Sequence, residues 1–579
     1  MDNKKLKRYI TTFNTQTWDN EKDSLFSGYW STSHKHHENI SEKKILNYHW
    51  SDKSKLTNDY EYLRKVYDQT LNKLVGILNK HHKVDFTVKS WSILLSPWLI
   101  SILSIIFDKF ETIKLALKKN KKYQTKILQY ADEDFSSINY KDYIRNKITN
   151  DDWHHLIFTD LILKTFQENF VIEQIDKKVK IDKNYGYLTF IEKFLKFFSF
   201  KFFLKKSIFF LDTSHIKFID VIKLMLNLKQ FPFWISGFDE TRCLTQKNIN
   251  LALRTKLNNE LESNTKDQFE IYLEQNIFNY LPMSCLENFN KHQIEAKKFF
   301  FKGQKIISRG AQLSNDLYKH WSVIQAEKGV KHHISFHGGG IPLKDINFGY
   351  EYKTFEKIIV HHKPFHKKQI KLPVLNVNKK IKFNSNSRDI LVVFKPSDSK
   401  YLTRLDYCPD GPEDLEDFNI LLKFAKKVNK KFQKKIKFRF LNDNWNFNDR
   451  LKIFKKDENK IYIDSLNKTK ILVSSYLLTP FSEAIAGNIP SVCLINKEKW
   501  IFNEKFKPLF DEMKRNKLIF FSEKECAKHV NENYSNILSW WSSEKVKTIV
   551  DKYLENIFYI KNKEKLSIWS DYIKKGKNK

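Results

Sequence analysis

Two stretches of this 579-residue chain combine residue types and spacings that could do chemistry. The first is His337-Gly338-Gly339-Gly340, followed by Ile341-Pro342-Leu343-Lys344 and preceded by a strand-like run at 333–336. Successive glycines let the backbone adopt positive φ and bring its N–H groups against a ligand. An imidazole at a strand tip is placed to move a proton or to bond a phosphate oxygen. A glycine-rich hinge with an incidental His fits the same residues. Downstream, Glu351 and Glu356 lie close enough in sequence to enter the same cleft, whereas His361, His362 and His366 read as a solvated basic tail.

The second stretch is 469–496, TKILVSSYLLTPFSEAIAGNIPSVCLIN. It reads as strand, turn, small-residue helix, turn and strand, one βαβ unit of a parallel sheet. Thr479 suits the N-cap, Pro480 the first helical position and Gly487-Asn488 the stop. Unpaired N–H groups and the positive end of the helix dipole then face the carboxyl edge of the sheet, where a phosphate would be held. Ser474, Ser475, Thr479 and Ser482 could add hydroxyl donors, and Glu483 could reach a ribose or sugar hydroxyl. Small residues at such a turn also serve close packing.

The elements that must position these groups alternate in two blocks. From about residue 206, strands at 207–211, 231–236, 305–309 and 333–336 alternate with helices at 216–228, 268–280, 290–301 and 315–328, which predicts a doubly wound domain. A polar, Asn-rich crossover at 372–387 precedes a second such domain. There, strands are expected at 389–395, 436–441 and 460–463, with helices at 412–432 and 449–455; the 469–496 unit and helices at 504–515, 523–532 and 544–559 complete it. Ahead of both, 59–81, 91–119 and 151–170 have helical periodicity, with short strands at 9–13 and 24–30. The domain division is therefore 1–371, with helical insertions at about 58–205 and a Rossmann-like part at about 206–371, and 372–579.

Composition narrows the function classes. The formal charge of +35 first suggests nucleic acid. Yet 91 of the 102 basic residues are Lys and only 11 Arg; with abundant Asn, Ile and Phe, that mixture follows from an AT-rich coding sequence. No nucleic-acid-binding motif is present, so no nucleic-acid partner is expected. A very basic surface still favours anionic head groups, polyanionic glycans or phosphorylated substrates. Five scattered cysteines suit a reduced compartment, and the start carries no secretory pattern, so a cytoplasmic protein, peripheral on an anionic inner membrane at most, is expected. Residues 90–107, eighteen without a charge, fit a buried helix or a membrane-contacting one. Phe clusters alternating with Lys at 189–211 fit an interfacial helix or a core helix followed by a strand. The adjacent pairs His36-His37, His81-His82 and His154-His155 point to different sides of a helix, and no metal site is expected.

With both loops in view, the chain resembles the two-domain nucleotide-sugar transferases of the GT-B type. HGGGIPLK also resembles the HGTPLK loop of CDP-glycerol glycerophosphotransferases. The fullest resemblance is to a family of transferases encoded in O-antigen and surface-polysaccharide loci. It is carried by Thr11-Thr12 with Trp18-Asp19, Tyr48-His49-Trp50 with Asp52, Trp91 to Leu99, His337 to Gly340, Ser482 to Pro490, Trp500 and Trp540-Trp541. That family has Gln before the His, where this chain has Phe336.

The resemblance implies an α/β fold, a GT-B-like pair of doubly wound Rossmann-type domains with a large helical N-terminal elaboration. It implies a glycosyltransferase moving a sugar from a nucleotide-activated donor, its co-substrate, to a glycan or lipid-linked acceptor in O-antigen, capsule or lipopolysaccharide assembly, with no cofactor. A glycerophosphotransferase-like enzyme and a non-catalytic nucleotide- or glycan-binding scaffold are the alternatives. In such an enzyme His337 is the candidate acid, base or phosphate stabiliser and Glu356 a candidate base. Gly338, Gly339, Gly340, Ser474, Ser475, Thr479, Ser482 and Glu483 would hold the donor. Arg439, Asp443 and Arg450 would bind nucleotide or a donor carboxylate, or form surface ion pairs.

Overall fold

The computed structural model describes residues 6–18, 23–32, 40–179, 209–212, 216–230, 238–246, 248–261, 265–338, 343–375, 381, 383–384, 386–408, 410–496, 500–561 and 563–575. The readings for 189–208 and 231–236, and those for Asp19, His36, His37, Gly339 and Gly340, lie outside the described residues.

Parallel sheets organise the chain. The second half is built on β10 (Asp389–Val393), β11 (Ile436–Arg439), β12 (Lys455–Lys456), β13 (Thr469–Ser474), β14 (Ser491–Leu494) and β15 (Ile519–Phe520), in the order β12-β11-β10-β13-β14-β15. This is the doubly wound Rossmann order, with its topological switch between β10 and β13. Its strands are near-continuous apolar runs because both faces are covered. Ile390, Val392, Ile471 and Val473 enter one core, while Leu391, Val393, Leu472 and Cys493 enter the other. The preceding unit carries β5 (Phe209–Leu211), β6 (Lys305–Ser308), β7 (Lys331–Ser335), β8 (Lys357–Val360) and β9 (Gln369–Lys371), ordered as they occur in the chain and again apolar on both faces. Two parallel α/β units, as expected of a GT-B type chain, are thus visible in the sheets; the second is doubly wound, while the described strands of the first run in sequential order without a reversal.

Several expectations are corrected. The N-terminal elaboration is not only helical: β1 (Arg8–Ile10), β2 (Ser24–Phe26), β3 (Tyr123–Tyr130) and β4 (Phe170–Val179) form a further parallel sheet, ordered β2-β1-β3-β4. β3 and β4 are half-polar, and the long helices around them dominate the periodicity. No strand occupies 460–463; Tyr462–Leu466 is a helix, and the edge strand is β12. Two exposed lysines paired with Lys437 and Phe438 leave no apolar alternation to detect. The division at residue 371 is recrossed at the chain's far end, where the helix Lys565–Lys574 returns to the first unit. There Trp569 and Ile573 join Phe209, Leu211 and Ile307 in one core, and Lys565 bonds Asp220 at 2.7 Å.

The helices α1 (Lys53–His82) and α2 (Val88–Lys119) pack together. α2 also touches the helices Asp151–Thr165, Gln268–Tyr280, Asp316–Glu327 and Tyr350–Thr354. A helix walled in on all sides can be apolar all round, which explains 90–107: α2 is long and apolar enough to cross a membrane, and its whole apolar window lies inside the protein.

Residues 394–408 and 410–413, between β10 and the helix Asp414–Lys427, form a strap across this helical body. Ser399 Oγ donates to Ile148 O (2.6 Å) and Ser101 Oγ to Thr403 O (2.5 Å), while Leu405 N donates to Ser104 Oγ (2.9 Å). Gly411 has φ +100°, and a Cβ there would stand 2.5 Å from Tyr401 O, so only glycine closes the strap's end.

Where strap, α2 and N-terminal sheet meet, Lys109 and Asp108 form a fully buried ion pair at 2.7 Å. The ammonium lies over the rings of Trp30, Phe158 and Tyr401 at 5.7, 5.5 and 5.1 Å. His49 contacts the other Asp108 oxygen at 3.1 Å. Burial alone would raise the Asp108 pKa, but Lys109 and His49 hold it well below the usual carboxylate range. Lys109→Met would leave that carboxylate buried without its main countercharge, and is expected to cost about 3–5 kcal/mol, read as a lower urea midpoint; an unchanged midpoint would contradict this account of the junction.

Candidate active site between the two sheets

The carboxyl ends of β6, β7 and β8 face those of β10 and β13 across a cleft. Arg309, His337 and His361 project from the first sheet, and Lys395 and Leu478 from the second, into a cavity of about 310 Å³. Through Tyr350, Asn347, Arg404 and Asp406 it continues into an arm of about 260 Å³, whose far wall includes Pro97, Ile100 and Tyr140. Charged side chains line both parts: Arg404 and Asp406 are shared, Arg309 and Glu351 lie in the first and Asp398 in the second.

The two loops singled out in the sequence touch here. A Cβ on Gly338 would stand 2.9 Å from Thr479 Oγ1, so the absence of a side chain at 338 is what lets the β7 loop reach the helix Thr479–Ala486. A Cβ on Gly310, whose φ is +152°, would come within 2.9 Å of the His337 ring. His337 is thus seated over the β6 loop and exposed to the cleft.

Glu356 is not with it. This residue precedes β8, where its Oε2 accepts from His332 N at the start of β7 (2.8 Å) and its Oε1 from Lys89. That is the amino edge of the sheet, opposite the cleft, so Glu356 does not reach the cavity. Glu351 does. It is 5% exposed and lines the cavity; Asn347 Nδ2 donates to Oε1, while Oε2 has no partner among the described residues. Burial pushes its pKa up to about 7, the range of a working general base.

The donor-side residues divide. The helix begins at Thr479, with Leu478 in the N-cap place and Pro480 next, so Thr479 is the first helical residue rather than the cap. First-turn N–H groups have no intrahelical acceptor and stand at the cleft rim beside Gly338. Ser475, half-buried, follows the tip of β13. Ser474 and Ser482 are consumed by the fold: Ser474 Oγ donates to Tyr476 O (2.7 Å), and Ser482 Oγ bonds Leu478 O (3.1 Å) and Tyr553 Oη (2.9 Å). Arg439 likewise holds Asp457 Oδ2 (2.6 Å), Asn459 O (2.7 Å) and Ser465 Oγ (3.1 Å). It lies 5.6 Å from the Tyr462 ring, whose hydroxyl donates to Pro480 O at 2.9 Å, so it sits behind the helix tip and does not line the cavity. Asp443 caps the turn at Asn448 (3.2 Å), and Arg450 Nε donates to Trp445 O (2.9 Å); neither lines the cleft. Glu483 is half-buried; burial raises its pKa to about 7, opposed by Lys217 of the first unit.

Sequence reasoning missed Arg309, Lys395 and Arg404 with its partner Asp406 (Nε–Oδ2 2.8 Å). One signal was available. In a chain with 91 Lys and 11 Arg, each Arg is a compositional outlier and invites inspection.

Of the motifs that carried the resemblance farther upstream, Trp91 to Leu99 reaches the arm of the cavity through Pro97 and the others serve the fold. His49 contacts the Asp108–Lys109 pair, Trp50 Nε1 donates to Asp59 Oδ2 (2.8 Å), and Asp52 caps α1. Thr11 Oγ1 bonds His155 at 2.9 Å, and Trp18 Nε1 donates to Thr12 O at 3.4 Å. Such spread-out agreement marks a single protein family across the whole chain, and a family model described as LIC12162 family transferase matches residues 7–573. The chain belongs to this family. As a LIC12162 family member it is a transferase, and no curated protein matches it. Solved structures similar to it include Acinetobacter baumannii MurG, at 9% identity and TM-score 0.31 over 63% of this chain and 98% of that one. Another is a UDP-glucose: anthocyanidin 3-O-glucosyltransferase in complex with UDP, at 10% and 0.32 over 63% and 98%. A third is the spinosyn rhamnosyltransferase SpnG complexed with spinosyn aglycone, at 8% and 0.29 over 60% and 95%. At such scores the fold rests on the sheets described above.

Glu351 and Glu483 both have folded-state pKa values raised from 4.5 to about 7. The stability they contribute is therefore full below about pH 4.5 and lost as pH rises through about 7. The double variant Glu351→Gln/Glu483→Gln is expected to lose less melting temperature than the parent between pH 5 and pH 8, measured by calorimetry in one ionic strength. Parallel curves would show that these carboxyls are not desolvated.

Proposed function

We propose that this transferase moves a sugar from a nucleotide-activated donor to a glycan or lipid-linked acceptor of surface-polysaccharide assembly. The observation that carries the reading is the contact of the His337-Gly338 loop with the Thr479 helix tip across a cavity walled by both sheets. Family membership supports transfer chemistry. The switch point between β10 and β13, with Lys395 and the helix tip beside it, suits the donor's phosphates.

In this reading the leaving nucleotide's charge is met by first-turn N–H groups and Lys395, preorganised and partly shielded from water. The acceptor enters from the arm bounded by α2, and its hydroxyl gives up a proton to Glu351 or His337 as the glycosidic bond forms. The strap residues Arg404 and Asp406 stand between the two arms and orient what spans them. A cytoplasmic enzyme with net charge +35 would work at the face of an anionic membrane, where each basic residue near the surface adds about 1 kcal/mol of attraction.

His337→Ala is expected to lower turnover by roughly 10²–10³ with the melting temperature unchanged. Gly338→Val, whose side chain collides with Thr479, should lower turnover as well. If Glu351 is the base, the parent's kcat rises as pH passes about 7, and Glu351→Gln loses that rise. A His337→Ala enzyme with full turnover of every nucleotide sugar used by the parent would end the proposal.

A further inference from the structure

Arg309, the first residue past β6, is 0% exposed, yet Nε, Nη1 and Nη2 all lack a hydrogen-bond partner among the described residues. Its backbone is locked, because Asp212 Oδ2 accepts from both Arg309 N and Ala311 N at 2.9 Å. Its guanidinium is backed by the Trp569 ring, 5.6 Å away, and that indole is itself pinned by Nε1–H to Pro373 O at 2.8 Å. Arg309 is also among the residues that line the cleft cavity, one strand tip from His337, with its guanidinium nitrogens buried behind that wall. Burial lowers its pKa only to about 10, so the group stays charged at neutral pH. His361, at the next strand tip, is held neutral, its pKa lowered to about 4 by burial first, with the Arg309 charge adding to the effect.

Buried donors without acceptors are expensive, more so when charged. A rigid fork of N–H groups backed by an aromatic plane matches a planar or tetrahedral oxyanion, bound through two parallel hydrogen bonds. The donor's own phosphates belong at the opposite wall, by the β10–β13 switch point. An anion at Arg309 would therefore sit on the sugar or the acceptor, next to His337.

We infer that Arg309 is an oxyanion-binding residue of the cleft and that one substrate is an acidic carbohydrate, carrying a carboxylate or a phosphate ester. Recognition of this kind excludes neutral sugars, because they leave the buried guanidinium unpaired. The substrate assignment rests on the glycosyl-transfer reading, but anion binding at Arg309 can be tested without it.

The test uses the full chain and Arg309→Met, which keeps the bulk and removes the charge. Without ligand, Arg309→Met is expected to melt higher than the parent, because it removes buried N–H groups that have no hydrogen-bond acceptor among the described residues; a structural arginine would give the reverse. Glucuronate or glucose 6-phosphate should raise the parent's melting temperature, glucose should not, and Arg309→Met should lose the response. Which of the two acts distinguishes carboxylate from phosphate ester. In titrations with nucleotide sugars, those with acidic sugars should bind Arg309→Met at least about tenfold more weakly than the parent, and neutral ones equally to both. A response to the acidic probes with no nucleotide binding would keep the anion site and end the reading as a nucleotide-sugar glycosyl transferase. An Arg309→Met protein that melts lower than the parent, or that responds to the acidic probes as the parent does, overturns the inference.

Discussion

The structure depends on one buried ion pair. Lys109 and Asp108 of α2 sit where the turn after β2, the helix Asp151–Thr165 and the strap from the second Rossmann unit converge, and these supply Trp30, Phe158 and Tyr401 around the ammonium. Burying two charges is costly, and only closely fitted partners recover it. The arrangement is therefore intolerant of displacement: if the strap shifts, Tyr401 leaves the cage, and if the N-terminal sheet shifts, Trp30 does. A junction with that property fixes the helical body against the donor-side unit, and the strap that runs through it presents Arg404 and Asp406 to the cleft.

The cleft inherits its chemistry from the same geometry. Parallel strands bring their carboxyl ends, and the residues just past them, to one edge of each sheet. With the two edges facing, residues far apart in the chain, such as His337 and Thr479, become neighbours. The second unit offers helix N–H groups and a lysine, and the first an exposed imidazole, a protonatable buried carboxyl and a buried guanidinium. The strong charge of the chain is otherwise spent on exposed lysines, and the arginines are used differently. Arg309 lies in the interior, Arg404 is tied to Asp406, and Arg439 is bound to backbone and side-chain oxygens behind the helix tip. That division follows from the guanidinium's flat fork, which fits several oxygens at once where an ammonium cannot.

Local pattern was enough to find the βαβ unit at 469–496, the strand before His337 and the long helices α1 and α2, because each is defined by its own apolar periodicity and its own stop signals. It also marked His337, Gly338 and Thr479, whose backbone freedom and helix-start chemistry are local properties. Signals of this kind failed at β12, where two exposed lysines have no pattern, and at β3 and β4, whose half-polar runs lie among stronger helical ones. The resemblance drawn from the sequence was carried partly by residues such as His49 and Trp50, which hold the junction together and do no chemistry in the cleft.

By itself, then, the sequence determined two parallel α/β units, a buried central helix and a glycine-rich His loop. Tertiary structure alone decided which polar groups face the cavity. Ser482 and Ser474 look like phosphate donors until Tyr553 and the loop carbonyls take their hydroxyls, and Glu356 looks like a base until β8 places it at the wrong edge of its sheet. Glu351 and Arg309 gain their roles from burial, and burial depends on what packs around a residue from other parts of the chain. No reading of neighbours along the chain can supply that.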